Sequence, residues 1–235
     1  MNTLSSGLVA QVLDGLHREA EATDREAMSA LAEVMDGPAE AVDKMVADML
    51  AEERADYRAV YRSYADNFLA ISPGYGRFLY MIARARNATR IVEFGTSMGV
   101  STIYLAAAIR DNGGGQLIGS ELEPAKVARA RANLAAAGLA DLVEIREGDA
   151  LETLKDLGAD MSGEVDLLLI DGAFSLYLPV LKLVEPWFRT GAVILGENAF
   201  APEYLDYVRN PANLYLSQSL PLDEGRGNEF TVRIA

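Results

Sequence analysis

Four acidic residues stand at or just beyond the ends of successive apolar runs in this 235-residue chain: Glu93, Glu121, Asp149 and Asp171. The first belongs to the segment Val92-Glu-Phe-Gly-Thr-Ser-Met-Gly-Val-Ser101. There an apolar run gives way to a helical pattern, and in open α/β sheets that boundary is the ligand-binding edge. Gly95 and Gly99 let the backbone turn tightly and approach a ligand. The following helix offers free N–H groups to an anionic group. A phosphate-binding P-loop needs Gly-Lys-Ser/Thr, and this segment has no lysine. A dinucleotide fingerprint needs G-x-G-x-x-G. Here the spacing is G-x-x-x-G, with Ser97 where the middle glycine would stand. The pattern therefore favours a nucleoside-like ligand without a pyrophosphate.

Glu121 at the second boundary has the chemistry to accept both hydrogen bonds of a ribose diol. Glu123 is an alternative for that role, or the start of the next helix beside Pro124. The third boundary, Glu147-Gly-Asp-Ala150, carries an acid that either reads an adenine amino group or caps a helix at Asp149. Asp171-Gly172 closes the fourth.

Composition narrows the chemistry further. The chain has no cysteine and one histidine, His17, so thiol nucleophiles, disulfides and Cys-based zinc sites are excluded. His17, far upstream, reads as a surface residue on an acidic helix. The net charge of −14 argues against tracking a phosphate backbone, hence against a nucleic-acid partner. Residues 1–65 hold 6 basic and 13 acidic groups, half of the net charge, and read as a solvated helical surface. No apolar stretch approaches a membrane span, and residues 1–16 lack the basic start of a signal peptide. A cytoplasmic protein without a membrane partner is expected.

The elements that would position these residues follow from periodicity. Leu4, Leu8, Val12 and Leu16 form one helical stripe, and Ala27, Leu31, Val34 and Met35 a second. Val42, Met45, Val46, Met49 and Leu50 form a third after Gly37-Pro38, continued by Tyr57, Val60, Tyr61 and Tyr64. Ser72-Pro73 should cap a further helix. From residue 90 the period changes. Strands are predicted at 90–94, 116–120, 143–146, 165–170 and 192–195, with helices at 100–111, 124–137, 150–157 and 176–189. Such β-α repeats imply a doubly wound parallel sheet. Segments 214–220 and 229–234 should form a closing hairpin across the polar loop 223–228. The expected division is a helical region at 1–65 and a catalytic domain at 66–235.

With these motifs in order, the sequence resembles the class I S-adenosylmethionine-dependent methyltransferases, and more closely the bacterial O-methyltransferases of the catechol and caffeoyl-CoA type. The resemblance covers about residues 70–235 and rests on segments 93–102, 119–124, 148–150, 170–172 and 177–186. It implies a Rossmann-like sheet of seven strands, the last antiparallel, with S-adenosylmethionine as cofactor. By resemblance, Glu93, Gly95 and Ser101 surround the methionine part, Glu121 holds the ribose, and Asp149 with Ala150 borders the adenine. Thr96, Ser97, Gly99, Leu122, Gly148 and Asp171 complete the cofactor set. The region before the sheet would serve as lid and homodimer surface.

Metal-dependent relatives hold a divalent ion with an Asp after the fourth strand and an Asp-Asn pair after the fifth. Here Asp171 matches, but the pair is Glu197-Asn198, and Phe174 stands where relatives commonly place a lysine. Asp171, Glu197 and Asn198 are thus candidate ligands for Mg²⁺ or another divalent cation. Alternatively, Glu197 and Asn198 cap the next segment or line a metal-free polar pocket. Tyr177 either orients the substrate or packs a helix. The expected activity is O-methylation of a small hydroxylated molecule, with aromatic acceptors among the candidates. Metal-independent N- or non-catechol methylation, and a cofactor-binding dimer whose chemistry has decayed, are the alternatives.

Overall fold

Strand β4 (Val165–Ile170) is buried at every position, as a central strand covered on both faces must be. The computed structural model places it at the middle of a seven-stranded sheet ordered β3-β2-β1-β4-β5-β7-β6. It describes all residues except Met1, Asp36, Gly163 and 223–226, and leaves undescribed the side chains of Ala27, Met28, Ala30 and Met35. Strands β1 (Arg90–Phe94), β2 (Gln116–Glu121), β3 (Val143–Glu147), β4 and β5 (Phe188–Gly196) pair in parallel. Strand β7 (Glu229–Arg233) enters antiparallel between β5 and β6 (Tyr215–Ser219). The expected closing strands are therefore present, while residues 223–226 of their predicted loop lie outside the described residues.

Two predicted helices are shorter than their periodicity suggests. Helix α6 spans only Ala150–Thr153 of the expected 150–157. Arg146 explains the stop: its guanidinium donates to the carbonyls of Thr153 and Asp156, acceptors a continuing helix would have used. Helix α7 spans Tyr177–Val184 of the expected 176–189. Glu185–Trp187, with Pro186 inside it, tightens to a 3₁₀ turn, and β5 starts at Phe188, earlier than predicted. Helices α4 (Val100–Asp111) and α5 (Pro124–Ala136) follow β1 and β2 as expected. Helix α3 (Pro73–Ala85) is capped by Ser72 Oγ, which accepts from the Tyr75 N–H at 3.0 Å. Helix α8 (Pro202–Arg209) follows β5.

The N-terminal stripes fold as two long helices. Helix α1 (Gly7–Met35) joins the first two stripes. Its buried face is Val9, Leu13, Leu16 and Ala20, one position round from the predicted stripe, so Leu8 is 61% exposed. That face shares one apolar cluster with α3 and α4. His17 is not a free surface residue: its Nε2 meets Tyr104 Oη of α4 at 3.0 Å. Burial, with Arg77 nearby, lowers its pKa. Helix α2 (Ala39–Ser63) is kinked at Asp56, whose backbone is non-helical (φ −161°, ψ 80°). The Asp56 carboxylate accepts from the Ala59 N–H at 3.0 Å and so restarts the helix as a cap. Among the described residues, no helix is long and apolar enough to cross a membrane.

Asp24 is an exception to the solvated acidic face that most acids of residues 1–65 form. It continues the Val9–Leu13–Ala20 face and is 3% exposed. Its carboxylate accepts from Asn67 Nδ2 (3.0 Å), Phe68 N (3.0 Å) and Leu69 N (2.7 Å). It thereby holds the linker before α3, including Leu69 at φ 48°. Replacing it strands buried donors. Asp24→Ala should cost about 3 kcal/mol, a fall in Tm of roughly 6–12 °C in a thermal melt. A change below about 1 °C would refute this role.

Candidate active site

Beyond the C-terminal ends of the parallel strands lies a cavity of about 810 Å³. Its floor is the loop after β1, and buried Glu93 holds that loop together. Glu93 is fully buried and accepts three hydroxyl donors: Ser101 (2.7 Å), Thr102 (2.6 Å) and Thr96 (3.1 Å). Burial raises its pKa and the three hydroxyls oppose that rise. Neither Glu93 nor Thr96 lines the cavity, whereas Ser101 does. The Glu93 carboxylate positions the loop from beneath. Thr102, absent from the sequence-predicted set, shares that task.

Gly95 has φ 93°, and a Cβ there would lie 1.7 Å from the Asp171 carbonyl oxygen. The loops after β1 and β4 therefore touch backbone to backbone. Gly99, at φ 87°, starts α4 and packs on Ala130 of α5 instead of facing the cavity. Ser97 is the crossing point. Its N–H donates to Glu121 Oε2 at 2.7 Å, and its hydroxyl donates to the Phe68 carbonyl at 2.7 Å.

Glu121 lines the cavity, with Oε1 accepting from the Glu123 N–H at 2.9 Å. Each oxygen accepts one backbone donor and keeps further lone-pair capacity. Leu122, Gly148, Asp149 and Ala150 continue the wall. Asp149 takes the capping one of its two expected roles. It caps α6 through the Leu151 N–H (2.9 Å), and its other oxygen accepts from Tyr57 Oη (2.5 Å) and Arg58 of α2. Burial alone would raise its pKa, but Tyr57, Leu151 and Arg58 together hold it below the ordinary value. Tyr57 is pushed up to about 12 by burial and by Asp149.

Asp171, Glu197 and Asn198 line the opposite end. Ile170 and Gly196 are paired in register, and the Glu197 N–H donates to the Ile170 carbonyl at 3.0 Å, so Asp171 and Glu197 leave neighbouring strand ends. Asn198 has φ 47°, and its N–H donates to Asn228 Oδ1 at 3.0 Å. Among the described residues, no three His, Cys, Asp or Glu side chains gather as a metal-ligand group. Tyr177 is fully buried off the cavity and donates to the Glu197 carbonyl at 2.5 Å. Burial, then Asp171 and Glu197, raises its pKa strongly. It supports the Glu197 turn and the Phe174 ring, whose centroid lies 5.7 Å from its own.

Helix α2 roofs the cavity with residues that sequence reasoning missed as site members. Glu53 is 3% exposed and accepts from the Ser175 N–H (2.7 Å) and Tyr61 Oη (3.2 Å). Tyr61 is raised well above its ordinary pKa by burial and by Glu53. The available signal was register: Glu53 falls on the apolar stripe between Leu50 and Tyr57. Outside, Arg54, Arg58 and Arg62 recur every fourth residue. They meet Glu203 (2.8 Å), Asp149 and Glu123 (3.9 Å), acids on three different segments of the rim.

A family model described as a methyltransferase domain matches residues 92–199. The chain is 33% identical over 162 residues to the catechol O-methyltransferase of Niastella koreensis, covering 68% of this chain and 72% of that protein. It is 37% identical over 130 residues to the catechol O-methyltransferase of Mycobacterium tuberculosis, covering 55% and 57%. The fold also matches the O-methyltransferase TomG from Streptomyces achromogenes, involved in tomaymycin synthesis and solved with its cofactor. That match has a TM-score of 0.62 and 25% identity, over 77% of this chain and 91% of that one. The chain belongs to the class I S-adenosylmethionine-dependent O-methyltransferases.

The α2 roof crosses the cavity from Asp149 to Ser175, so its ion pairs should set how fast a bound ligand exchanges. Exposed pairs are individually weak and screened by salt. Replacing Arg54, Arg58 and Arg62 together by Gln should speed S-adenosylhomocysteine release in stopped flow by roughly threefold or more. It should also flatten the salt dependence of that rate. An unchanged rate and salt slope would show that α2 does not act as a strap.

Proposed function

We propose that this enzyme methylates a hydroxyl of a small, largely planar molecule, with catechol-like compounds as the first class to test. The observation that carries the reading is one continuous cavity with two unlike ends. Glu121 and Asp149 stand at the nucleoside end. Asp171, Glu197 and Glu53 stand at the other, which the rings of Tyr61, Phe174 and Phe200 also line. The residues fit the cofactor: Glu121 keeps acceptor capacity for a ribose diol, and Ala150 and Leu122 offer an apolar border for a base.

When bound, S-adenosylmethionine supplies an electrophilic methyl group on a sulfonium. The chain has to align an acceptor oxygen with that methyl and take up its proton. Phe174 and Phe200, 5.7 Å apart and edge to face, present a surface for a flat acceptor. Asp171 and Glu197 supply carboxylate oxygens towards its hydroxyl. Tyr177 acts through the Glu197 turn as a positioning residue.

Asp171, Glu197 and Asn198 form an oxygen-rich set suited to Mg²⁺ or a similar hard cation, and such a cation would polarise the acceptor oxygen. Residues 1–65 serve in this reading as roof and homodimer surface on the domain 66–235, in a cytoplasmic enzyme.

Two measurements test the proposal. Glu121→Ala should weaken S-adenosylhomocysteine by about 10-fold or more in isothermal titration, because two hydrogen bonds to a charged acceptor are lost. Unchanged affinity would remove the ribose assignment. Methylation of a panel of dihydroxybenzenes should stop in excess EDTA and return with Mg²⁺. Full activity in EDTA would discard the cation, and no turnover on any hydroxylated acceptor would discard the substrate class.

A further inference from the structure

Lys126 is placed against every ordinary preference of a lysine. It is 4% exposed. It lies in the first turn of α5, where the helix dipole disfavours a cation. Among the described residues its side chain makes no hydrogen bond and no close ion pair. Burial lowers its pKa, and Glu121, Asp24, Glu123 and Asp171 act against that, so all four acids face it from different elements. The stem is buried while the ammonium is not sealed from the cavity, where an anionic group can meet it.

Its side chain lines the cavity. Among the described lining residues it is the one basic group against seven acids: Glu52, Glu53, Glu121, Glu123, Asp149, Asp171 and Glu197. The cofactor brings a sulfonium, an ammonium and one carboxylate. The acids suit the two cations. The carboxylate, by contrast, would meet repulsion from nearly every charged group around it. Lys126 faces both Glu121 and Asp171, so it borders the space around the sulfur, from which ribose, methyl and amino-acid tail all branch. Resting on the cofactor assignment above, we propose that Lys126 is a cofactor-binding residue that receives the carboxylate of the methionine moiety.

The first turn of α5 thus reads two parts of one ligand. Glu121, just before the helix, takes the ribose. Lys126, five residues on, takes the tail. The role also explains why a lysine occupies the buried face otherwise formed by Val127, Ala130 and Leu134. The surrounding acids offset part of the cost of desolvating it, and the anion adds to that offset.

Three ligands separate this role from a general effect on the pocket. S-adenosylhomocysteine carries the carboxylate. Decarboxylated S-adenosylmethionine lacks that group and keeps the amine, with a methylsulfonium in place of the thioether. Methylthioadenosine lacks the whole tail. Isothermal titration of the full-length protein with each should show Lys126→Met weakening S-adenosylhomocysteine by about 10- to 100-fold, the size of a charge-assisted hydrogen bond. Binding of decarboxylated S-adenosylmethionine should stay unchanged or tighten, and methylthioadenosine should stay within twofold. Lys126→Arg should recover most of the lost affinity. Equal weakening of all three ligands, or no weakening of S-adenosylhomocysteine, would overturn the carboxylate assignment while leaving the cofactor reading intact. Failure of the unsubstituted protein to bind any of the three would overturn both.

Discussion

A buried carboxylate with three hydroxyl partners is the constraint on which the site depends. A carboxylate is an acceptor only, and in a dry interior it persists when donors surround it. Glu93 finds them in Thr96, Ser101 and Thr102, on the loop and helix that follow its own strand. The loop after β1 is therefore folded back on the strand that launched it. From that fixed point the other contacts follow. Gly95 can lie against the Asp171 carbonyl, and Ser97 can reach both Glu121 and Phe68. Three strand ends and the linker before α3 are tied through one turn of chain.

The second layer comes from outside the segment that the family model matches. Asp24 fastens the linker from α1, and α2 closes over the strand ends with Glu53, Tyr57 and Tyr61. The acids of residues 1–65 thus divide into two kinds. Asp14 and Asp48 sit on exposed faces and pair with Arg18 and Lys44 one turn away. Asp24 and Glu53 are buried and bind backbone N–H groups of other segments. Exposed pairs of the first kind are individually weak. Buried acceptors of the second kind specify where a segment docks, because any shift leaves donors unsatisfied.

This division explains what could be read in the sequence. The sheet was legible because its strands are short apolar runs separated by turn residues, and because β4 reads as a continuous buried strand. The acids at the strand ends were legible because an α/β sheet places its ligand there. Their roles were less so. Glu93 and Glu121 look alike in sequence, yet Glu93 points into the protein and Glu121 lines the cavity. What separates them is the hydroxyl trio around Glu93, whose members lie three, eight and nine residues later and could equally have faced a ligand. The site members on α2 were hidden for a different reason. Charge counting averages over a helix, whereas burial depends on the face. Asp24, Glu53 and Lys126 each occupy a position that helical spacing assigns to an apolar residue, and a charge in such a register is the signal that composition erases.

The same three residues bear on how a chain of net charge −14 can hold an ionic ligand. A cavity walled by acids attracts a sulfonium, and does so most strongly where water is excluded. Unrelieved, that field would also repel an anionic tail and disfavour one end of the ligand it is built to hold. The remedy has to be local, because a cation on the surface would be screened within about a Debye length. The strap arginines meet the rim acids from outside and leave the interior field largely unaltered. A cation inside the wall acts where the field is strongest, and on one end of the ligand only. If Lys126 takes the carboxylate, the charge pattern of the cavity sets a direction as well as an affinity, with the sulfonium and ammonium held by the acids and the carboxylate by the single cation among them.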